Sequence, residues 1–91
     1  MNRNERIKAA VLAALEAGGE KTVPGTLAAV RLDPHLSRGD LRRLDDVDAA
    51  DYIERKLWDL YESGYAARSA FIKGELVRFR AAPERRTEVV S

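Results

Sequence analysis

Residues 57–68 read Leu57-Trp58-Asp59-Leu60-Tyr61-Glu62-Ser63-Gly64-Tyr65-Ala66-Ala67-Arg68, and this stretch decides the fold. Its first half completes an apolar stripe: Ala50, Ile53, Leu57 and Leu60 recur at the helical period, with Arg55, Asp59 and Glu62 on the opposite side. Gly64 stops that helix, because glycine takes the left-handed conformation beyond a last turn without steric cost. The spacing predicts a helix from Ala49 to Ser63, with Asp48 as N-cap and Asp51 in the first turn. Downstream, Tyr65 to Ile72 and Glu75 to Arg80 flank Lys73-Gly74, the signature of a hairpin with a two-residue loop. Counted outward from the loop, Ile72 faces Glu75, Phe71 faces Leu76 and Ala70 faces Val77, giving one apolar cross-strand pair on each face.

Upstream, Leu36, Leu41 and Leu44 mark a short helix from Ser37 to Asp45, capped by Ser37 or Asp40. The stretch from Glu20 to Arg38 is ambiguous. Val23-Pro24-Gly25 is a turn signal, and residues 26–32 fit either a short helix capped by Thr26 or a short strand. Asp33-Pro34 ends that element, since the residue before proline is pushed out of the helical region. Near the N-terminus, Ile7, Ala10, Val11, Ala14 and Leu15 predict a helix from Glu5 to Ala17, capped by Asn4 and stopped by Gly18-Gly19. The expected fold is therefore α+β: a single domain over residues 1–82, three or four helices followed by a C-terminal β-hairpin. Pro83 and the charged run after it predict a flexible tail over 83–91.

Composition narrows the function. A chain of 91 residues allows one domain with a modest core and no interdomain cleft. There is no cysteine, which removes disulfides, thiolate metal sites and cysteine nucleophiles and fits a reducing, cytoplasmic setting. The apolar run Ala9–Leu15 is too short to span a bilayer. His35 is the only histidine and has no second ligand at metal spacing. The cluster Asp45, Asp46, Asp48 and Asp51 lacks the glycine and terminal glutamate of a calcium loop. Ser37, Ser63 and Ser69 have no histidine partner nearby in sequence, and the six glycines form no phosphate loop. The expectation is a non-enzymatic binding protein without metal or cofactor.

Net charge is +1, which argues against strong nonspecific nucleic-acid binding by the chain as a whole. The distribution is uneven. From Ala66 to Arg86 six basic residues (Arg68, Lys73, Arg78, Arg80, Arg85, Arg86) oppose Glu75 and Glu84, whereas Asp45 to Asp51 holds four carboxylates and no base.

The helix, the Gly64 stop and the hairpin together resemble the junction between the third helix and the wing of winged helix-turn-helix domains. The resemblance covers roughly Ser37 to Arg80, about half the chain, and rests on element order rather than on a chemical signature. It implies that the helix from Ala49 to Ser63 enters the major groove and exposes Tyr52, Arg55, Lys56 and Asp59. It also implies that Arg68, Lys73, Arg78 and Arg80 of the wing meet phosphates. A small transcriptional regulator acting as a homodimer follows from the same likeness, with Ile7, Val11 and Leu15 either a dimer surface or core. The chain departs from that pattern in one respect: Asp51, Glu54, Asp59 and Glu62 outnumber Arg55 and Lys56 on the would-be recognition helix. The competing expectation is a protein-binding adaptor or inhibitor on the same scaffold, using Trp58 and the acidic Asp45, Asp46 and Asp48 against a protein partner.

Overall fold

In the computed structural model, which describes residues 2–70 and 72–82, four helices precede a two-stranded antiparallel hairpin. The helices are α1 (Arg3–Glu16), α2 (Val23–Arg31), α3 (Arg38–Arg43) and α4 (Ala49–Glu62), and the strands are β1 (Ala66–Arg68) and β2 (Phe79–Ala81). The α+β class read from the sequence holds, and several local expectations are corrected.

The cap of α1 is Asn2, not Asn4: the Asn2 side chain accepts a hydrogen bond from the Glu5 N–H at 2.9 Å. The ambiguous stretch is a helix. Thr22 caps α2 by accepting from the Gly25 N–H at 3.2 Å, so Val23-Pro24-Gly25 is a first helical turn rather than a loop. Proline suits that turn because the N–H it lacks has no helical partner there. Thr26 is consequently not a cap; it is fully buried and its hydroxyl donates to the Thr22 carbonyl at 2.9 Å. In α3 both predicted caps act together. The Asp40 N–H donates to the Ser37 hydroxyl while the Asp40 carboxylate accepts from the Ser37 N–H, a reciprocal capping box. The helix ends at Arg43, two residues before the expected Asp45.

α4 buries Ala49, Ile53, Leu57 and Leu60, whereas Ala50 is exposed. Asp48 occupies the N-cap position but makes no capping bond. Its carboxylate is engaged elsewhere, by Arg43 at 2.8 Å and 3.3 Å. Gly64 ends the helix at φ 85°, and the Tyr65 N–H donates to the Leu60 carbonyl (2.9 Å) while the Gly64 N–H donates to that of Tyr61 (3.1 Å). This paired closure satisfies two end-of-helix carbonyls and turns the chain directly into β1.

β1 and β2 pair with Ala66 opposite Ala81, Ala67 opposite Arg80 and Arg68 opposite Phe79, the register counted from the Lys73-Gly74 loop. The strands are shorter than predicted, since Tyr65–Ile72 and Glu75–Arg80 were expected in full. Between the ladder and the turn closed by the Glu75 N–H on the Ile72 carbonyl (3.0 Å), no described residue of either arm is strand. Ile72 and Leu76 are exposed there. The expected Ala70–Val77 pair lies beyond the ladder, and Phe71 and the 83–91 tail lie outside the described residues. One pairing was not foreseen. Lys21, between α1 and α2, exchanges two backbone hydrogen bonds of 2.8 Å with Phe79 and so ties that connection to the free edge of β2.

The core unites Ile7, Val11 and Leu15 of α1, Val30 of α2, Leu44, the α4 stripe and Phe79. Ile7, Val11 and Leu15 are thus core residues and not a dimer surface. Among the described residues no helix is long and apolar enough to cross a membrane.

Candidate nucleic-acid interface

Burial of Ala49, Ile53, Leu57 and Leu60 fixes what α4 presents to solvent. The side opposite that stripe carries Asp51, Arg55, Asp59 and Glu62, all exposed. Of the three cation-bearing or aromatic residues expected outward beside Asp59, only Arg55 is exposed. Tyr52 is half-buried: its ring lies under the Arg43 guanidinium, 4.0 Å from the centroid, and beside the Lys56 ammonium at 4.8 Å. Its hydroxyl donates to Asn4 Oδ1, and burial pushes its phenol above the ordinary tyrosine value. Tyr52 therefore joins α4 to the N-terminus of α1 and to α3, and Lys56 packs beside its ring on the flank of α4 rather than on its outer face.

The hairpin cations divide in the same way. The Arg68 guanidinium folds over the Tyr61 and Trp58 rings, at 5.3 Å and 5.8 Å from their centroids, and donates to the Ser69 carbonyl at 3.1 Å. Arg80 stands 3.8 Å from the Glu20 carboxylate. Lys73 at the turn and Arg78 on the returning arm are exposed and make no ion pair among the described residues. Because Phe79 points into the core, its neighbours Arg78 and Arg80 share the outer face of the hairpin.

The acidic segment is partly neutralised from within. Arg43 contacts Asp48 at 2.8 Å and Asp46 at 3.4 Å, and its hydrogen bond holds the Asp48 carboxyl below the usual aspartate value. Arg31 approaches Asp45 at 3.7 Å and donates to the Leu44 carbonyl at 2.7 Å. Between them Val47 is fully exposed.

The most buried ion pair joins residues far apart in the sequence. Arg6 donates to both carboxylate oxygens of Asp40, at 2.9 Å and 3.0 Å, with Arg3 at 3.9 Å. Asp40 is wholly buried. The Arg6 hydrogen bond, joined by the Ser37 N–H, holds its carboxyl far below the ordinary 3.8 although burial acts the other way. The Ser37–Asp40 spacing was a legible signal for the cap; nothing local pointed to Arg6, 34 residues away.

Trp58 is half-buried. It meets Phe79 edge to face at 5.2 Å and Tyr61 at 5.7 Å, and its Nε1 donates to Glu54 at 3.3 Å. The remaining polar candidates have local roles. His35 Nδ1 lies 3.1 Å from Asp33 in an exposed turn, Ser37 caps α3, and the Ser69 hydroxyl accepts from the Arg78 N–H at 3.0 Å. Among the described residues no group of three or more metal-ligating side chains converges. Comparison with protein-family models, curated proteins and solved structures gives no match to this chain.

Proposed function

We propose that the protein is a DNA-binding module that grips the phosphate backbone of a duplex mainly through its hairpin. The observation that carries this reading is the division of the cations. Arg6, Arg31, Arg43 and Arg80 are matched by carboxylates and Arg68 by aromatic rings, whereas Lys73 and Arg78 stand exposed on the hairpin, as Arg38 and Arg42 do on α3. The two hairpin cations, with Arg80 once it leaves Glu20, suit phosphate contacts, which position a protein without reading sequence. The outward carboxylates of α4 repel phosphate, so that helix does not lie lengthwise in a groove, and Arg55 is the side chain left to read bases. A small transcriptional regulator is a role for such a module, and a symmetric dimer would double its few phosphate contacts. Fluorescence anisotropy with a labelled random-sequence duplex tests the reading. Micromolar binding at low salt that fades at physiological salt supports it; no binding at low salt refutes it.

A protein-binding adaptor or inhibitor is the second reading. It is favoured by one observation, the exposed Asp51, Asp59 and Glu62 on the outer face of α4 near the partly exposed Trp58. It predicts no affinity for duplex DNA at physiological salt, and loss of partner binding when Trp58 or the acidic cluster of Asp45, Asp46 and Asp48 is changed.

A further inference from the structure

The hairpin does not close flat against the helices. Between the first turn of α2, α4 and the returning arm lies an open groove of about 340 Å³, large enough to hold side chains of a bound segment. Its walls are apolar: Val23 and Pro24 on one side, Trp58 and Phe79 at the base, Leu76 and Val77 on the other. Its two polar lining residues are both carboxylates, Glu54 of α4 and Glu75 of the hairpin. Glu54 is also bonded to Trp58 Nε1, so the charge is held at the aromatic wall. Asp51, one turn from Glu54, and Arg55 flank the same end with opposite charges, so Glu54 and Glu75 set the sign of the groove itself. Leu76 is about two-thirds exposed (65 %), a cost in water that a bound apolar group would remove.

We infer that this groove binds a basic peptide segment of a partner protein, an aliphatic residue seated against Trp58 and Leu76 with lysines or arginines facing Glu54 and Glu75. Charge complementarity fixes the occupant. A nucleic-acid strand would bring phosphates to two carboxylates, and a neutral apolar segment would answer the charge of neither. The groove lies on the Phe79 side of the hairpin, opposite Arg78 and Arg80, so it is separate from the hairpin cations proposed to meet phosphate and does not rest on that reading.

Trp58 is the chain's one tryptophan and reports occupancy directly. The probe is the capped peptide Lys-Lys-Leu-Ala-Leu-Lys-Lys, titrated at low salt while Trp58 emission is followed. The inference predicts a saturable blue shift with a dissociation constant on the order of 10–100 µM, as fits a small contact. The Glu54→Gln/Glu75→Gln variant, which keeps a hydrogen-bond acceptor for Trp58, should weaken binding about fivefold through loss of two exposed charge pairs. Leu76→Ser should weaken it as well, and the same peptide with glutamate in place of lysine should not bind. Lys73→Ala/Arg78→Ala should leave peptide binding unchanged, which separates this inference from the DNA reading. No saturable shift by about 1 mM peptide, an equal response to the glutamate peptide, or full binding by the double glutamine variant overturns it.

Discussion

The Arg6 guanidinium clasps the Asp40 carboxylate through two hydrogen bonds of 2.9 Å and 3.0 Å, joining the first turn of α1 to the first turn of α3. The same carboxylate completes the capping box with Ser37. One buried side chain thus starts α3 and fastens it to α1, and α3 in turn supplies Arg43, which holds Asp48 at the head of α4. α4 itself is placed by its buried stripe, Ile53, Leu57 and Leu60, in the shared core.

Asp40→Ala removes the ion pair and half of the capping box at once, while Ser37→Ala removes one capping bond only. The Ser37 variant should lose about 1 kcal/mol, typical of an N-cap. The Asp40 variant should melt roughly 10 °C below the parent, given several degrees per kcal/mol in a domain of this size. Thermal unfolding followed by circular dichroism checks the order, and equal losses in the two variants would show that the Arg6 contact stabilises nothing.

Acid should expose the same carboxylate. Its folded pKa is depressed, so the unfolded chain binds more protons between the folded value and the ordinary 3.8. The stabilisation is complete above the ordinary value and is lost as pH falls through the window below it. Denaturant midpoints should therefore decline steadily from about pH 5 downward, and Asp40→Asn should flatten that decline while lowering the neutral-pH midpoint.

Legibility in the sequence followed the range of the interactions. The α4 stripe, the Gly64 stop and the hairpin register were readable because each is set by residues within a few positions of one another. The α2 helix was not, because its apolar residues fit two periods and its cap, Thr22, precedes a Val-Pro-Gly run that imitates a turn. The Lys21–Phe79 bridge and the Arg6–Asp40 pair join residues tens of positions apart, and no local pattern encodes them. Among the candidate site residues, Arg55, Lys73 and Arg78 are exposed as expected. Tyr52, Lys56 and Arg68 are drawn inward by cation–aromatic contacts that composition alone does not reveal.

Thr22, the cap of α2, and Thr26, within it, should respond oppositely to serine. Thr22→Ala should cost about 1 kcal/mol by exposing the Gly25 N–H, whereas Thr26→Ser should cost about as much by removing a buried methyl while keeping the hydroxyl bond. Thr22→Ser, which retains the cap, should be nearly silent. Urea titration of the three variants distinguishes this assignment from one in which Thr26 caps, since then Thr26→Ser would be the silent change.

Gly64→Ala places a side chain at φ 85°, where an L-residue costs about 1–2 kcal/mol. The strain falls on the closure that launches β1, so β1 amides should lose hydrogen-exchange protection more than α1 amides. A uniform loss across the molecule would contradict that local effect.

The central claim is that the hairpin cations meet phosphate, and the salt dependence of DNA binding measures it most directly. With about three phosphate contacts, the logarithm of the association constant should fall with that of salt at a slope of roughly −2.7. Lys73→Ala/Arg78→Ala should weaken low-salt binding and bring the slope close to −1, because each lost contact removes about 0.9. A double variant that binds with the parent's affinity and slope, or a parent that does not bind at low salt, would contradict the account.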